Sequence, residues 1–317
     1  MVYSQKRTTD GDRRRNAIRL LVIGAALITT AGGSLLVLRA MDIAPVGIRG
    51  RNMELLSLLN EAEYDEVLRI AESALSNDPL DGEALTFGGF ARFYLGIQAT
   101  DRTEQLEHLH HAIVMLRRAL HVPYAPLAAE RDYVLAKAYF HRGDEYVDLS
   151  VYYMERSLLA GYDAADSRTY LGLGHAALQQ HDESVAWFEE AIERAQPEEV
   201  DAVRIRTAES HIALGNFQAA GDVLQRVIAA LDDEFLLLIA RNRLASVLIR
   251  AERFDDAESL LNETLELFPQ SADALYYLGI VYDESGRGVQ ARNMWRTARE
   301  IDPNHTDALM RLANWGR

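Results

Sequence analysis

The chain has 317 residues, 49% of them hydrophobic and 26% charged, which is enough apolar side chain for a sizeable core, and it has no cysteine. Missing thiols exclude disulfides, thiolate catalysis and Cys-ligated zinc or iron–sulfur sites. The net charge of −15 is uneven: residues 1–51 hold nine Lys or Arg against three Asp or Glu, or +6, and the remainder 24 against 45, or −21. A body this acidic repels nucleic-acid phosphates and anionic headgroups, so no nucleic-acid partner is expected.

Residues 1–16 form a polar, basic tail with Lys6, Arg7, Arg13, Arg14 and Arg15. From Leu20 to Leu38 there follow 19 uncharged residues, LLVIGAALITTAGGSLLVL. At 1.5 Å per residue, a helix of that length covers roughly 28 Å, close to the ~30 Å hydrocarbon core of a bilayer. Arg19 and Arg39 bracket the run and can snorkel to the two interfaces. Residues 17–39 therefore read as a transmembrane helix. A cleaved export signal is the competing reading. It fits less well, because such signals carry ~7–15 apolar residues and a small-x-small site, whereas the nearest site here is Leu38-Arg39-Ala40.

The basic flank keeps the N-terminus in the cytoplasm. In a bacterium the expectation is thus a single-pass inner-membrane protein with a periplasmic body. Ala25, Thr29 and Gly33 form a small-xxx-small stripe, so homo-oligomerisation through the span stays open. Residues 40–47, with Pro45 and Gly47, read as a linker. Its eight residues reach at most ~28 Å and hold the body near the membrane.

From residue 48 onwards a two-helix pattern recurs. Residues 48–81 carry Leu55, Leu58, Tyr64, Ala71, Ala74 and Pro79. Residues 82–126 carry Gly89, Gly96, Ala112, Leu116, Ala119 and Pro123, with an insertion of about 11 residues, IQATDRTEQLE, expected between their two helices. Residues 129–164 keep Leu135, Ala136, Tyr139 and Gly143, but their second helix is displaced by about two residues. Residues 165–200 carry Leu171, Gly172, Ser184, Phe188, Ala191 and Pro197; residues 201–237 carry Ala208, Gly215, Phe217, Ala220, Leu224 and Val227. In 238–271 the marks are Leu244, Ala245, Leu248, Phe254, Ala257, Leu261 and Pro269.

The clearest unit is 272–305. Leu275, Leu278, Gly279 and Tyr282 mark its first helix, Ala291, Trp295 and Ala298 its second, and Pro303 closes it. A half unit, 306–317, follows, with Thr306 as expected N-cap and Leu309, Leu312 and Trp315 to cover the last apolar face. Small residues in these patterns suit the points where two helices cross, and large ones fill the space beside them. Gly143, Gly215 and Gly286 fall just after first helices, where a left-handed residue lets the chain reverse.

This skeleton closely resembles the tetratricopeptide repeat, W-x2-L-G-x2-Y…A-x3-F…P. The resemblance covers residues 48–317 and is strongest in the last four full units. It implies an all-α, right-handed solenoid of about seven helix-turn-helix units with a terminal capping helix. In that family the first helices line a concave groove that takes partner segments. Carried over, the groove residues are Phe90, Phe93, Tyr94, Tyr133, Lys137, Phe140, Leu173, Ile205, Ile212, Ile239, Asn242, Ile249, Tyr276 and Ile280. Lys137 and Arg250 are its few cations, so the set of Lys and Asn with which chaperone-binding members grip a terminal carboxylate is missing. A hydrophobic and aromatic groove suits an apolar helix or an extended segment. The competing expectation is that part of this surface packs internally, against the 97–107 insertion.

No sequence feature points to catalysis. There is no GxxxxGK[ST], HExxH, GxSxG or EF-hand loop, and the Gly172–Gly174 GLG lacks a preceding strand. His108, His110 and His111 in EHLHHA read as a solvated helix face, and His175 and His211 as packing residues. No metal, cofactor or enzymatic activity is expected. The leading expectation is a non-enzymatic scaffold or adaptor in an envelope assembly, serving secretion, envelope biogenesis or a motor. The alternative is a periplasmic co-chaperone that captures exported clients.

Overall fold

A computed structural model describes residues 49–195 and 197–314. The basic tail, the expected transmembrane run, the linker and Trp315 lie outside those residues. Among the described residues no helix is long and apolar enough to cross a membrane.

Fifteen α-helices and one short 3-10 turn make up the regular structure of the described residues, with no strand. They follow one another as pairs: α1 (Arg49–Asn60) with α2 (Tyr64–Asn77), α3 (Gly82–Gln98) with α4 (Arg102–Ala119), and α5 (Ala128–Arg142) with α6 (Val147–Leu159). Next come α7 (Ser167–Ala177) with α8 (His181–Ile192), α9 (Pro197–Leu214) with α10 (Phe217–Ala230), α11 (Glu234–Arg250) with α12 (Phe254–Leu267), and α13 (Ala272–Glu284) with α14 (Gly288–Ile301). The single helix α15 (Thr306–Ala313) ends the series. The chain divides into two compact units, up to Trp187 and from Phe188. In the first, α3, α5 and α7 pack on one another as a layer of first helices; in the second, α9, α11 and α13 do the same.

The turns between paired helices need one residue at positive φ. Gly143, Gly215 and Gly286 supply it at φ 130, 79 and 74. Elsewhere the same place is filled by Ala62, Gln179 and Glu252 at φ 61, 64 and 58, where a Cβ crowds the following carbonyl. Helix starts are fixed by side-chain caps: Asp81 accepts from the Ala84 N–H, Asp233 from Leu236 and Ser271 from Ala274.

Two expectations need correction, and a third gains its cause. The 97–107 segment is no loop: α3 and α4 are lengthened to 17 and 18 residues, leaving only 99–101 between them. Asp101 starts α4 by accepting from the Thr103 and Glu104 N–H groups, and Gly96 lets the extra turns approach, since a Cβ there would meet His108 Cβ at 3.1 Å. The displaced second helix near 146 has a physical cause, the 3-10 turn Asp144–Tyr146 inserted ahead of α6. Finally, the cap of α15 is His305, not Thr306: its Nδ1 accepts from the Ala308 N–H at 3.3 Å.

The core follows the small-and-large rule. A Cβ on Gly279 would sit 2.3 Å from Trp295 Nε1, so only glycine lets α13 lie against that indole. Trp295 is fully buried, donates to the Tyr276 carbonyl at 3.1 Å and is flanked by the buried Ala291 and Ala298. In the first unit Gly89 plays the same part against Leu116 of α4. Phe87, Phe90, Phe93, Leu85 and Leu135 fill that unit's interior. Each such side chain contributes about 1.5–3 kcal/mol on burial.

Candidate partner-binding face

The groove residues expected from sequence all lie on first-layer helices, but the two units treat them differently. In the first unit Phe90, Phe93, Tyr133, Lys137 and Leu173 are buried, and Tyr94 and Phe140 half-buried. That face is filled by its own side chains. Lys137 Nζ lies 4.8 Å from the Tyr170 ring centroid, 5.0 Å from Tyr133 and 5.9 Å from Phe93. It donates to Asp166 Oδ2 at 2.7 Å and to Tyr133 Oη at 3.0 Å, while Tyr133 Oη donates to Asp166 Oδ1 at 2.7 Å. The cation is thus neutralised by a carboxylate and enclosed by ring faces, whose quadrupoles attract it.

Beside this cluster His141 is buried, with Nε2 2.9 Å from Tyr170 Oη. Burial, with the Lys137 and Arg102 cations behind it, pushes its imidazole down to about 3, so the ring is neutral. Burial also raises the Tyr133 and Tyr170 phenols far above their usual range, with the Asp166 charge second. Tyr94 stacks flat on Tyr64 at 5.2 Å and meets Phe93 edge-on at 5.3 Å. The surface does pack internally, though against Asp166, Tyr170 and Tyr64 more than against the lengthened helices. Of those, Arg102 reaches the His141 carbonyl at 3.3 Å.

In the second unit the face is more open. Ile205 and Asn242 are buried, but Ile212, Ile239, Ile249, Tyr276 and Ile280 are half-buried, leaving apolar surface on α9, α11 and α13. Arg250 is exposed, 5.9 Å from the Phe217 ring. Glu209 of α9 is held by two guanidiniums, Arg243 Nε at 2.6 Å and Arg206 Nη1 at 2.7 Å. Burial would raise its carboxyl, but Arg243 and Arg206 outweigh burial and bring it down to about 2. Arg206 Nη2 within this cluster, and His211 Nδ1 and Asn242 Oδ1 next to it in the chain, are buried without a partner among the described residues.

Sequence reading missed Asp166, His141 and Tyr170 in the first unit and the Arg206–Glu209–Arg243 cluster in the second. A cue existed for Asp166, which follows Tyr133 by about one repeat length. No cue marked Glu209 off from the many solvated carboxylates. His108 and His110 face arginines, Arg92 at 3.5 Å and Arg142 at 3.1 Å. Among the described residues no three His, Asp or Glu gather as a metal-binding set. His175 is buried against Gln180 at 2.8 Å, and His211 is half-buried.

Residues 248–314 match the family model described as tetratricopeptide repeat. No curated protein matches the chain in sequence. Among solved structures it is similar to the APC/C hetero-tetramer Cut9–Hcn1, at 14% identity and TM-score 0.51, over 83% of this chain and 48% of that one. The chain thus spans about half the length of that protein. It also aligns with MamA 41-end from Desulfovibrio magneticus RS-1, at 14% identity and TM-score 0.48, over 56% of this chain and 96% of that one. With MamA AMB-1 the figures are 19%, 0.43, 55% and 97%. At 14% identity the similarity to Cut9–Hcn1 speaks for the fold alone. The family match places tetratricopeptide repeats at residues 248–314, where Gly279 of α13 crosses against the Trp295 indole, and the helix pairs before that stretch follow the same two-helix plan.

Proposed function

We propose that the chain is a non-enzymatic scaffold that holds an apolar segment of a partner protein on the first-layer face of its second unit. The observation that carries this reading is the half-buried apolar set Ile212, Ile239, Ile249, Tyr276 and Ile280, with the unpartnered Asn242 Oδ1. Apolar surface gives affinity, and a buried acceptor without a donor gains most from a partner's N–H. The first unit's face is filled by its own aromatic side chains around the Lys137–Asp166 pair and serves as structure.

The reading extends to a membrane anchor at 17–39, a cytoplasmic N-terminus and a periplasmic body in an inner-membrane envelope assembly. It is supported by the 19-residue uncharged run between Arg19 and Arg39 and by the basic flank.

Cross-linking pull-down with the full chain tests the site. Ile239→Glu and Tyr276→Ala should each remove the stoichiometric partner, while Phe93→Leu should leave it bound. Retention of the partner by both second-unit variants would refute the site. Many weakly held clients in place of one partner would favour a co-chaperone. Protease added to spheroplasts should degrade the body; full protection would reverse the topology.

A further inference from the structure

Two helices that come second in their pairs, α6 in the first unit and α14 in the second, carry exposed stripes that complement each other. On α6 the exposed residues are Asp148, Tyr152, Glu155 and Leu159, spaced i, i+4, i+7, i+11 on one face, with Leu159 88% and Tyr152 53% exposed. On α14 one face shows Val289, 78% exposed, then Arg292, Arg296 and Arg299, all exposed. None of these three arginines, nor Asp148, makes an ion pair or side-chain hydrogen bond among the described residues, and Glu155 only approaches His175 Nε2, at 4.0 Å. Three unpaired arginines on one helix are out of keeping with a body of net charge −21.

Laid antiparallel, the stripes match position by position. Leu159 meets Val289, Glu155 meets Arg292, Tyr152 meets Arg296 and Asp148 meets Arg299. Laid parallel, Asp148 would face Val289 and Leu159 would face Arg299. Only the antiparallel order sets apolar on apolar, carboxylate on guanidinium and ring on cation. The nearest like charge on α6, Arg156, pairs with Asp132 at 2.6 Å and also lies 5.6 Å from the Tyr152 ring centroid; on α14 the one exposed carboxylate is Glu300.

We propose that α6 of one copy docks antiparallel on α14 of a second copy, so that the protein self-associates head to tail through these helices. Because the two surfaces differ, the contact is heterologous, and each added copy leaves one α6 and one α14 face free. It depends on charge pairs at the surface and so weakens with salt.

The absence of cysteine gives a clean test. Full-length chains carrying Leu159→Cys and Val289→Cys are mixed in mild nonionic detergent at low salt and oxidised. A disulfide-linked heterodimer should form under these conditions and fail to form when the oxidation is carried out at high salt. Arg292→Glu with Arg299→Glu in the Val289→Cys chain should abolish it; adding Asp148→Arg with Glu155→Arg to the Leu159→Cys chain should restore it. Circular dichroism checks that each exposed-site variant is folded. No heterodimer from the unreversed chains, or one indifferent to charge reversal, overturns the proposal. So does sedimentation with phosphatidylglycerol vesicles that the Arg292→Glu, Arg299→Glu chain loses while no cross-link forms, which would assign the arginines to lipid.

Discussion

The two units use the same helix pair to opposite ends. In the first, the first-layer face carries aromatic residues and closes on a lysine that is already paired with Asp166 and covered by Tyr133, Tyr170 and Phe93. In the second, aliphatic residues at comparable places stay half-buried. Large rings reach across to their neighbours and fill the face, whereas isoleucines cannot. The repeat therefore sets where side chains point, and their size and charge decide whether a surface is left to bind anything.

The largest test of that contrast is at the interior both units share in kind. Trp295→Ala should cost about 3–5 kcal/mol and melt residues after 188, and Phe90→Ala should do the same before 187. Hydrogen exchange resolved by segment would read this; loss spread evenly over both units would deny their independence. Next, Asp166→Ala leaves the Lys137 cation buried without its carboxylate and should destabilise the first unit by about 2–3 kcal/mol. The matching Asn242→Leu change removes an unpartnered acceptor and should be neutral or stabilising by up to about 1 kcal/mol, while weakening partner capture. Urea unfolding compares the pair, and equal destabilisation would erase the distinction.

Acid should separate the units as well. His141 is held down to about 3, below its unfolded value near 6.5, so its contribution is complete above 6.5 and is lost as pH falls from there toward 3. At pH 5 the loss is about 2 kcal/mol. Burial lowers His111 and His181 too, which adds in the same sense. In the second unit burial opposes the charged form of His305, but Asp273 outweighs it and raises the group, so its contribution is full below 6.5 and lost as pH rises through the folded value. Glu209 gives way only between 4.5 and about 2. Between pH 7 and 5 the first unit should therefore weaken and the second hold; the reverse order of melting would contradict these assignments.

The smallest effect lies in the turns. Gln179→Gly and Glu252→Gly relieve a left-handed non-glycine residue, one in each unit, and should each stabilise by about 0.5–1 kcal/mol. Differential scanning calorimetry would show whether the gain is equal.

The helix pairs were legible because glycine, alanine and tryptophan recur at fixed offsets, and Gly279 can face Trp295 only if two helices cross there. The 97–107 segment misled because its residues are helix formers and composition cannot distinguish an insertion from two longer helices. His305 was passed over as a cap because imidazole seldom takes that place. For the candidate face, residue spacing told which side chains belong to it. It did not tell that Asp166, from the turn before α7, would neutralise Lys137 and help seal the first unit.

His305 has a consequence for the last helix. One ring nitrogen stops the first turn of α15 by taking the Ala308 N–H, and the other lies 3.2 Å from Asp273 Oδ1 on α13. Taking up a second proton would cost α15 its start signal but strengthen its clasp on α13. Terminal fraying and terminal docking thus answer acid in opposite directions through a single imidazole.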